Sequence, residues 1–144
     1  MRKVKDSMGE LEIEENALYQ AQTQRAINNF PISYQTMPES FIRALVLIKM
    51  VAAETNANLD CITPEEADSI VRAAKSLLSD KNIMDHFPID IFQTGSGTSS
   101  NMNANEVLAT LAVRESGLEI NPNDHVNFGQ SSNDVIPTAI HVSA

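Results

Sequence analysis

The sequence has 144 residues, of which 42% are hydrophobic, and its 10 Lys and Arg residues face 19 Asp and Glu residues, for a formal net charge of −9. That length fits one domain with a sizeable core. Because nucleic acids and anionic membranes bind clusters of positive charge, the acidic balance argues against both as partners, whereas small anions need only a few local donors.

Cysteine use and apolar runs restrict the class of protein further. Cys61 is the only cysteine, so no internal disulfide can form, and no Cys and His residues have metal-ligand spacing. The longest apolar run, residues 44–48, is far too short to span a bilayer, and no apolar stretch follows the N-terminal charges as in a signal peptide. We therefore expect a soluble cytoplasmic protein without a metal or membrane association.

The first half of the chain predicts extended segments followed by helices. Charged and apolar residues alternate over the first fifteen positions around Gly9, which indicates short extended pieces with a turn. Residues 17–30 predict a helix that Pro31 closes. Thr36 and Glu39 have capping-box spacing and predict the start of a buried apolar helix that ends near Asn56.

The second half predicts three more helices and two polar loops. Thr63 and Glu66 form another capping box, which opens an amphipathic, half-exposed helix. In residues 94–105, ten of twelve positions are Gly, Ser, Thr or Asn, and a helix follows that Gly117 ends. A second polar loop, 121–134, precedes the first turns of a last helix from Pro137, with no stop signal after it. The predicted fold class is mainly α.

The two polar loops are the candidate sites for chemistry. Each ends at a predicted helix N-terminus, where unpaired backbone N–H groups and the positive end of the helix dipole favour an anion. A helix cap needs one side-chain donor, whereas the first loop supplies five. Those five are Ser96, Thr98, Ser99, Ser100 and Asn101. The pattern is compatible with a carboxylate-binding surface and also with ordinary turns and caps. No Lys follows the glycines as a phosphate-binding loop requires.

Four collinear segments resemble class II fumarases of the fumarase/aspartase superfamily. They are residues 5–9, 18–33, 94–107 and 126–141. In aspartate ammonia-lyases, the nearest rival, Ala is typical at position 96 and Thr at position 132, whereas this chain has Ser96 and Ser132. Residues 22–25, Gln-Thr-Gln-Arg, also favour fumarase. The resemblance implies reversible hydration of fumarate to L-malate, with no metal or organic cofactor.

The resemblance also implies a set of site residues. Ser96 and Thr98 in the first loop, with Ser131, Ser132 and Asn133 in the second, would bind the substrate carboxylates. The catalytic His, a flexible-loop Ser and a Lys of the family would lie beyond Ala144, so we expect no catalytic residue in this chain. The family's second anion segment corresponds to Asn121, Asn123 and Asp124, although Asn121 replaces the usual His and the accompanying Arg is not found.

By the same resemblance, residues 1–132 would be a helical N-terminal domain, and residues 133–144 would begin the first helix of a central bundle. The full-length protein would be a homotetramer, and this piece alone would be inactive. Two alternatives remain open. One is aspartate ammonia-lyase, and the other is a stand-alone dicarboxylate-binding or interaction module without activity.

Overall fold

A β-hairpin precedes five α-helices in the computed structural model, which describes residues 1–144. Strand β1, Arg2–Asp6, pairs antiparallel with β2, Gly9–Ile13, so that Val4 lies opposite Leu11. Asp6 Oδ1 accepts a hydrogen bond of 2.8 Å from the Met8 backbone N–H and closes the turn. The hairpin confirms the extended pieces and the turn that the alternating pattern predicts.

The helices account for most of the chain, as the predicted fold class requires. A 3₁₀ turn at Ile83–His86 and a π-helical turn at Pro122–Val126 add to them. No helix of the structure has the length and apolar composition needed to cross a membrane. The five α-helices are α1 Ala21–Asn29, α2 Glu39–Asn58, α3 Pro64–Ser79, α4 Thr98–Ser116 and α5 Ser132–Ser143.

Local capping signals predicted two helix ends correctly. Thr63 Oγ1 accepts from the Glu66 N–H at 3.2 Å, and the Thr63 N–H donates to Glu66 Oε2 at 2.8 Å, which forms the reciprocal capping box at the start of α3. Gly117 ends α4 in the left-handed conformation, with φ 73°.

Four predicted helix starts were wrong. Helix α1 begins at Ala21 and not at residue 17, and α4 begins at Thr98, inside the predicted loop 94–105. The capping box at Thr36 does not form, because α2 begins at Glu39 with extended Pro38 as its N-cap, and Thr36 forms an isolated bridge with Asp90. Helix α5 begins at Ser132 instead of near Pro137, because Ser131 caps it by accepting from the Asn133 N–H. Pro137 therefore lies inside the helix and cannot donate to the carbonyl group four residues earlier.

One apolar cluster joins α2, α3, α4 and α5. Helix α2 packs against α3 and α5, and α4 packs against α1, α3 and α5. Helix α4 is buried along most of its length, and it includes Asn101 and Glu106 among its buried residues. Because α4 lies in the middle of this packing, the first polar loop at its N-terminus is held by the core. The largest apolar side chains without appreciable exposure include Ile42, Leu45, Ile70, Leu77, Val107 and Leu108.

Candidate functional site

The N-terminal ends of α4 and α5 lie against each other. Gly97, the N-cap of α4, adopts a left-handed φ of 76°, and a Cβ atom there would lie 3.1 Å from Ile136 Cγ1 in the second turn of α5. Only glycine combines that backbone conformation with such a close approach. The contact brings the polar loop before α4 to the polar loop before α5.

Ser96 and Thr98 flank this glycine in the first loop. Ser96 is exposed and Thr98 is half-buried as the first residue of α4, and neither side chain forms a hydrogen bond within the chain. The Gln93 side chain accepts from the Ser100 N–H at 2.7 Å and so caps one backbone donor of the helix. The hydroxyl groups of Ser96 and Thr98 are therefore free to donate to a ligand.

The second loop contributes Ser131, Ser132 and Asn133. Ser131 Oγ accepts from the Asn133 N–H at 3.3 Å, and Ser132 Oγ accepts from Asn101 Nδ2 at 3.1 Å. The side-chain amide of Asn133 is exposed and forms no hydrogen bond within the chain. Since both serine oxygens act as acceptors in these bonds, each hydroxyl hydrogen remains available as a donor.

A polar network that includes the buried side chains of Lys49 and Asn101 joins the two loops. Asn101, on α4, donates from Nδ2 to Asn127 Oδ1 at 3.2 Å as well as to Ser132 Oγ. Lys49, on α2, donates from Nζ to Asn127 Oδ1 at 2.9 Å and to Gln130 Oε1 at 2.8 Å. Burial lowers the pKa of the Lys49 amine to about 7. The sequence signal for this residue was one lysine inside the otherwise apolar run 44–53 of α2, and the sequence pattern alone did not single it out.

A cavity of about 360 Å³ lies beside Thr98 and extends toward the hairpin. Arg25 lines it and donates to Asp6 from Nε at 2.8 Å and from Nη2 at 2.9 Å. The hydrogen bond from Arg25 holds the pKa of the Asp6 carboxyl below its usual range. The cation that lines this cavity is therefore already paired, and neutral donors remain to contact an anion.

The three residues of the predicted second anion segment, Asn121, Asn123 and Asp124, lie in one turn. Asn121 Oδ1 accepts from the backbone N–H groups of Asn123 at 2.8 Å and Asp124 at 3.0 Å. The Asn121 N–H donates to His125 Nδ1 at 2.8 Å. These backbone donors are already used, and the adjoining cavity is lined by Glu65 and other carboxylates. The second anion site stays a prediction, without added support from this geometry.

Metal-ligating side chains do not cluster in this structure. No group of three or more His, Cys, Asp or Glu residues is arranged to hold a metal ion. Cys61 is exposed and free. The candidate site consists of hydroxyl, amide and backbone N–H groups.

A family model described as a lyase matches residues 9–144 of the chain. The chain is 59% identical over 140 residues to a protein named fumarate hydratase class II 2 from Pseudomonas aeruginosa, and the match covers 97% of the chain and 30% of that relative. It is 58% identical over 139 residues to a fumarate hydratase class II from Xylella fastidiosa, a match that covers 96% of the chain and 29% of that relative.

Solved structures share the fold. A class II fumarase from Schistosoma mansoni superposes with a TM-score of 0.92 at 42% identity, over 99% of this chain and 31% of that one. A protein described as fumarate lyase:delta crystallin from Brucella melitensis superposes with a TM-score of 0.91 at 39% identity, over 99% of this chain and 34% of that one. The chain thus spans about 30% of the length of the curated relatives it matches.

Proposed function

The chain belongs to the class II fumarase group of the lyase family, and from that premise we propose that it supplies dicarboxylate-binding loops to a fumarate hydratase. The observation that carries this proposal is the contact between Gly97 and Ile136, which places the starts of two helices and their polar loops side by side. The proposed substrate-binding residues are Ser96, Thr98, Ser131, Ser132 and Asn133.

The chemistry of hydration suits neutral donors at helix N-termini. Fumarate and L-malate are dianions, and removal of a proton from C3 of malate places additional negative charge on the adjacent carboxylate. Hydroxyl and amide donors aimed at that carboxylate stabilise this charge more in the transition state than in the bound substrate. Thr98 and Asn133 suit this role because neither side chain has another partner within the chain.

The proton-transfer groups would come from the remainder of a longer protein. The family resemblance assigns a His, a flexible-loop Ser and a Lys to regions after Ala144. Residues 133–144 would then begin the central helical domain, after an N-terminal domain of residues 1–132. The intact enzyme would be a cytoplasmic homotetramer that needs no metal or organic cofactor.

The absorbance of fumarate provides the test. The full-length protein should hydrate fumarate to L-malate, and the 144-residue chain alone should not. Turnover by the isolated chain would contradict the placement of the proton-transfer groups after Ala144. Release of ammonia from L-aspartate without malate formation would establish aspartate ammonia-lyase instead. Binding of a dicarboxylate with no turnover of either substrate would support a binding module.

A further inference from the structure

Lys49 is buried in the middle of α2 and forms no salt bridge. It has no exposed surface, and its neighbours along the helix, such as Leu45, Val46 and Ala53, belong to the apolar core. Removing an amine from water is costly unless its hydrogens find acceptors. A side chain without nitrogen would avoid this cost, so the retained amine points to a role besides packing.

The acceptors of Lys49 both lie in the second loop, just before Ser131. Its Nζ donates to Asn127 Oδ1 at 2.9 Å and to Gln130 Oε1 at 2.8 Å. The Gln130 side chain also donates to the Val126 backbone carbonyl at 2.9 Å, and the Gln130 backbone carbonyl accepts from Asn127 Nδ2 at 3.3 Å. Lys49 therefore holds both ends of the turn 127–130, whose next residue is Ser131.

The same network reaches the first helix of the site. Asn127 Oδ1 accepts from Asn101 Nδ2 at 3.2 Å, and Asn101 Nδ2 also donates to Ser132 Oγ at 3.1 Å. Asn101 lies in the first turn of α4, close to Thr98. A displacement of the turn 127–130 would thus be transmitted both to Ser132 and to its contact with α4.

We propose that Lys49 is a positioning residue, which fixes the turn 127–130 and thereby holds Ser131, Ser132 and Asn133 against the first loop. Lys49 itself does not touch the ligand. A neutral amine has two N–H donors, and the structure provides two acceptors for them. The lowered pKa of the amine agrees with this match. The identity of the ligand as a dicarboxylate rests on the proposed function, whereas the positioning of the turn does not.

The test compares Lys49→Met with Lys75→Met in the full-length protein. Methionine keeps an unbranched apolar side chain but removes both hydrogen bonds, and Lys75 is an exposed lysine on α3 that controls for the substitution itself. Hydrogen–deuterium exchange of residues 127–134 should accelerate in Lys49→Met while α3 and α4 keep their protection. Unchanged exchange of this segment, or equal acceleration throughout the protein, would overturn the proposal.

Steady-state kinetics give a second readout. The kcat/KM for fumarate should fall roughly tenfold to a hundredfold in Lys49→Met, as expected for the loss of two hydrogen bonds, and should stay unchanged in Lys75→Met. Gln130→Met removes one of the two acceptors of Lys49. In the double variant Lys49→Met, Gln130→Met, the loss of kcat/KM in free-energy terms should be smaller than the sum of the losses in the two single variants. Additive losses, or kcat/KM equal to that of the control, would contradict positioning.

The two proposals fail in different ways. If the unsubstituted full-length protein does not hydrate fumarate, the proposed function is wrong, and exchange of residues 127–134 still decides the role of Lys49. If it hydrates fumarate and Lys49→Met matches Lys75→Met in both readouts, the positioning role alone is wrong. If Lys49→Met does not fold, Gln130→Met, at a half-buried position in the turn, is compared with Lys75→Met in the same two readouts.

Discussion

Thr23 Oγ1 donates a hydrogen bond of 2.6 Å to Glu106 Oε2, across 83 positions of sequence. The same carboxylate accepts the backbone N–H groups of Gln20 at 2.9 Å, Gln22 at 2.9 Å and Thr23 at 3.1 Å. These donors lie at the N-terminus of α1, where they have no acceptor inside the helix. Glu106, on α4, therefore caps α1 from a different helix, and its negative charge also complements the dipole of α1.

Replacing this carboxylate should destabilise the fold. Glu106→Gln keeps the size of the side chain but substitutes an amide group for one oxygen, so that some of the donors lose their acceptor in a buried site. We expect the free energy of unfolding in urea to fall by about 3 kcal/mol. Glu119→Gln, at an exposed position, serves as the control and should change it by less than about 0.5 kcal/mol. Equal losses in the two variants would refute the capping role.

This cap explains why the start of α1 was not predictable from local sequence. The pattern over residues 17–30 predicted a helix of the right type, but α1 begins only at Ala21. Its start depends on Glu106, which is remote in sequence. By contrast, the box at Thr63 and the stop at Gly117 involve residues within one turn, and local signals predicted both.

In the candidate site, too, features set by adjacent residues were predictable from the sequence, and contacts between residues remote in sequence were not. Composition marked the two polar loops, because density of hydroxyl and amide groups is a property of adjacent residues, and the resemblance to class II fumarases then singled out Thr98 and Asn133 within them. The contact of Gly97 with Ile136 depends on how α4 packs against α5, and no spacing rule contains it. Lys49 was missed for a related reason, since its two acceptors lie 78 and 81 positions away.

Asp90 should control stability in acid. Its carboxylate accepts from the Ser33 N–H at 2.6 Å, the Tyr34 N–H at 2.7 Å, the Ser33 hydroxyl at 2.9 Å and the Phe92 N–H at 2.9 Å. Burial acts to raise the pKa of Asp90, but these hydrogen bonds outweigh it and lower the pKa to about 2. Because the folded-state pKa is below the usual value of 3.8, the stabilisation is present above about pH 4 and is lost as the pH falls toward 2.

Asp90→Asn should therefore reduce the melting temperature at pH 7 and flatten its decline between about pH 4 and 2. Thermal unfolding followed by circular dichroism at several pH values in this window measures both effects. Asp85→Asn, at an exposed position in the 3₁₀ turn, is the matched control and should keep the acid profile of the unsubstituted chain. An unchanged profile in Asp90→Asn would show that its hydrogen bonds do not stabilise the ionised form.

Lys49 should produce a pH dependence of the same sign at neutral to alkaline pH. Its pKa is lowered by burial from 10.5 to about 7, so the unfolded state binds more protons between these two values. The free energy of unfolding should consequently rise with pH in this window, by up to about 1.4 kcal/mol for each pH unit. Urea unfolding of the chain and of Lys49→Met, compared at pH 7, 8.5 and 10, isolates this contribution. Parallel curves for the two proteins would disprove it.

Thr98 and Asn133 should matter for activity more than for stability. Changing either residue to Ala in the full-length protein should lower kcat/KM for fumarate by an amount equivalent to about 2–4 kcal/mol of transition-state stabilisation, the range for a donor to a developing oxyanion. Thr55→Ala, whose hydroxyl only bonds back to the Val51 carbonyl of its own helix, is the control and should retain the full rate. An unchanged kcat/KM would remove the substituted residue from the site.

Gly97 and Gly117 have nearly the same backbone conformation, so substitutions at the two positions distinguish the cost of backbone strain from the cost of a steric contact. Gly97 has φ 76° and Gly117 has φ 73°, but an added Cβ would meet Ile136 at 3.1 Å in the first case and nothing within 4 Å in the second. Gly117→Ala should therefore lower the free energy of unfolding by about 1 kcal/mol through left-handed strain alone. Gly97→Ala should lose a further 1–3 kcal/mol or so, the usual range for overpacking.

The difference between these two variants measures how firmly the packing of α4 against α5 fixes the two loops. Since the added methyl group must push Ile136 away from the start of α4, Gly97→Ala in the full-length protein should also lower kcat/KM for fumarate, whereas Gly117→Ala should not. Urea midpoints and initial rates on the same preparations give both quantities. Equal losses of stability, with equal rates, would mean that α5 shifts freely and that its contact with Gly97 does not set the geometry of the site.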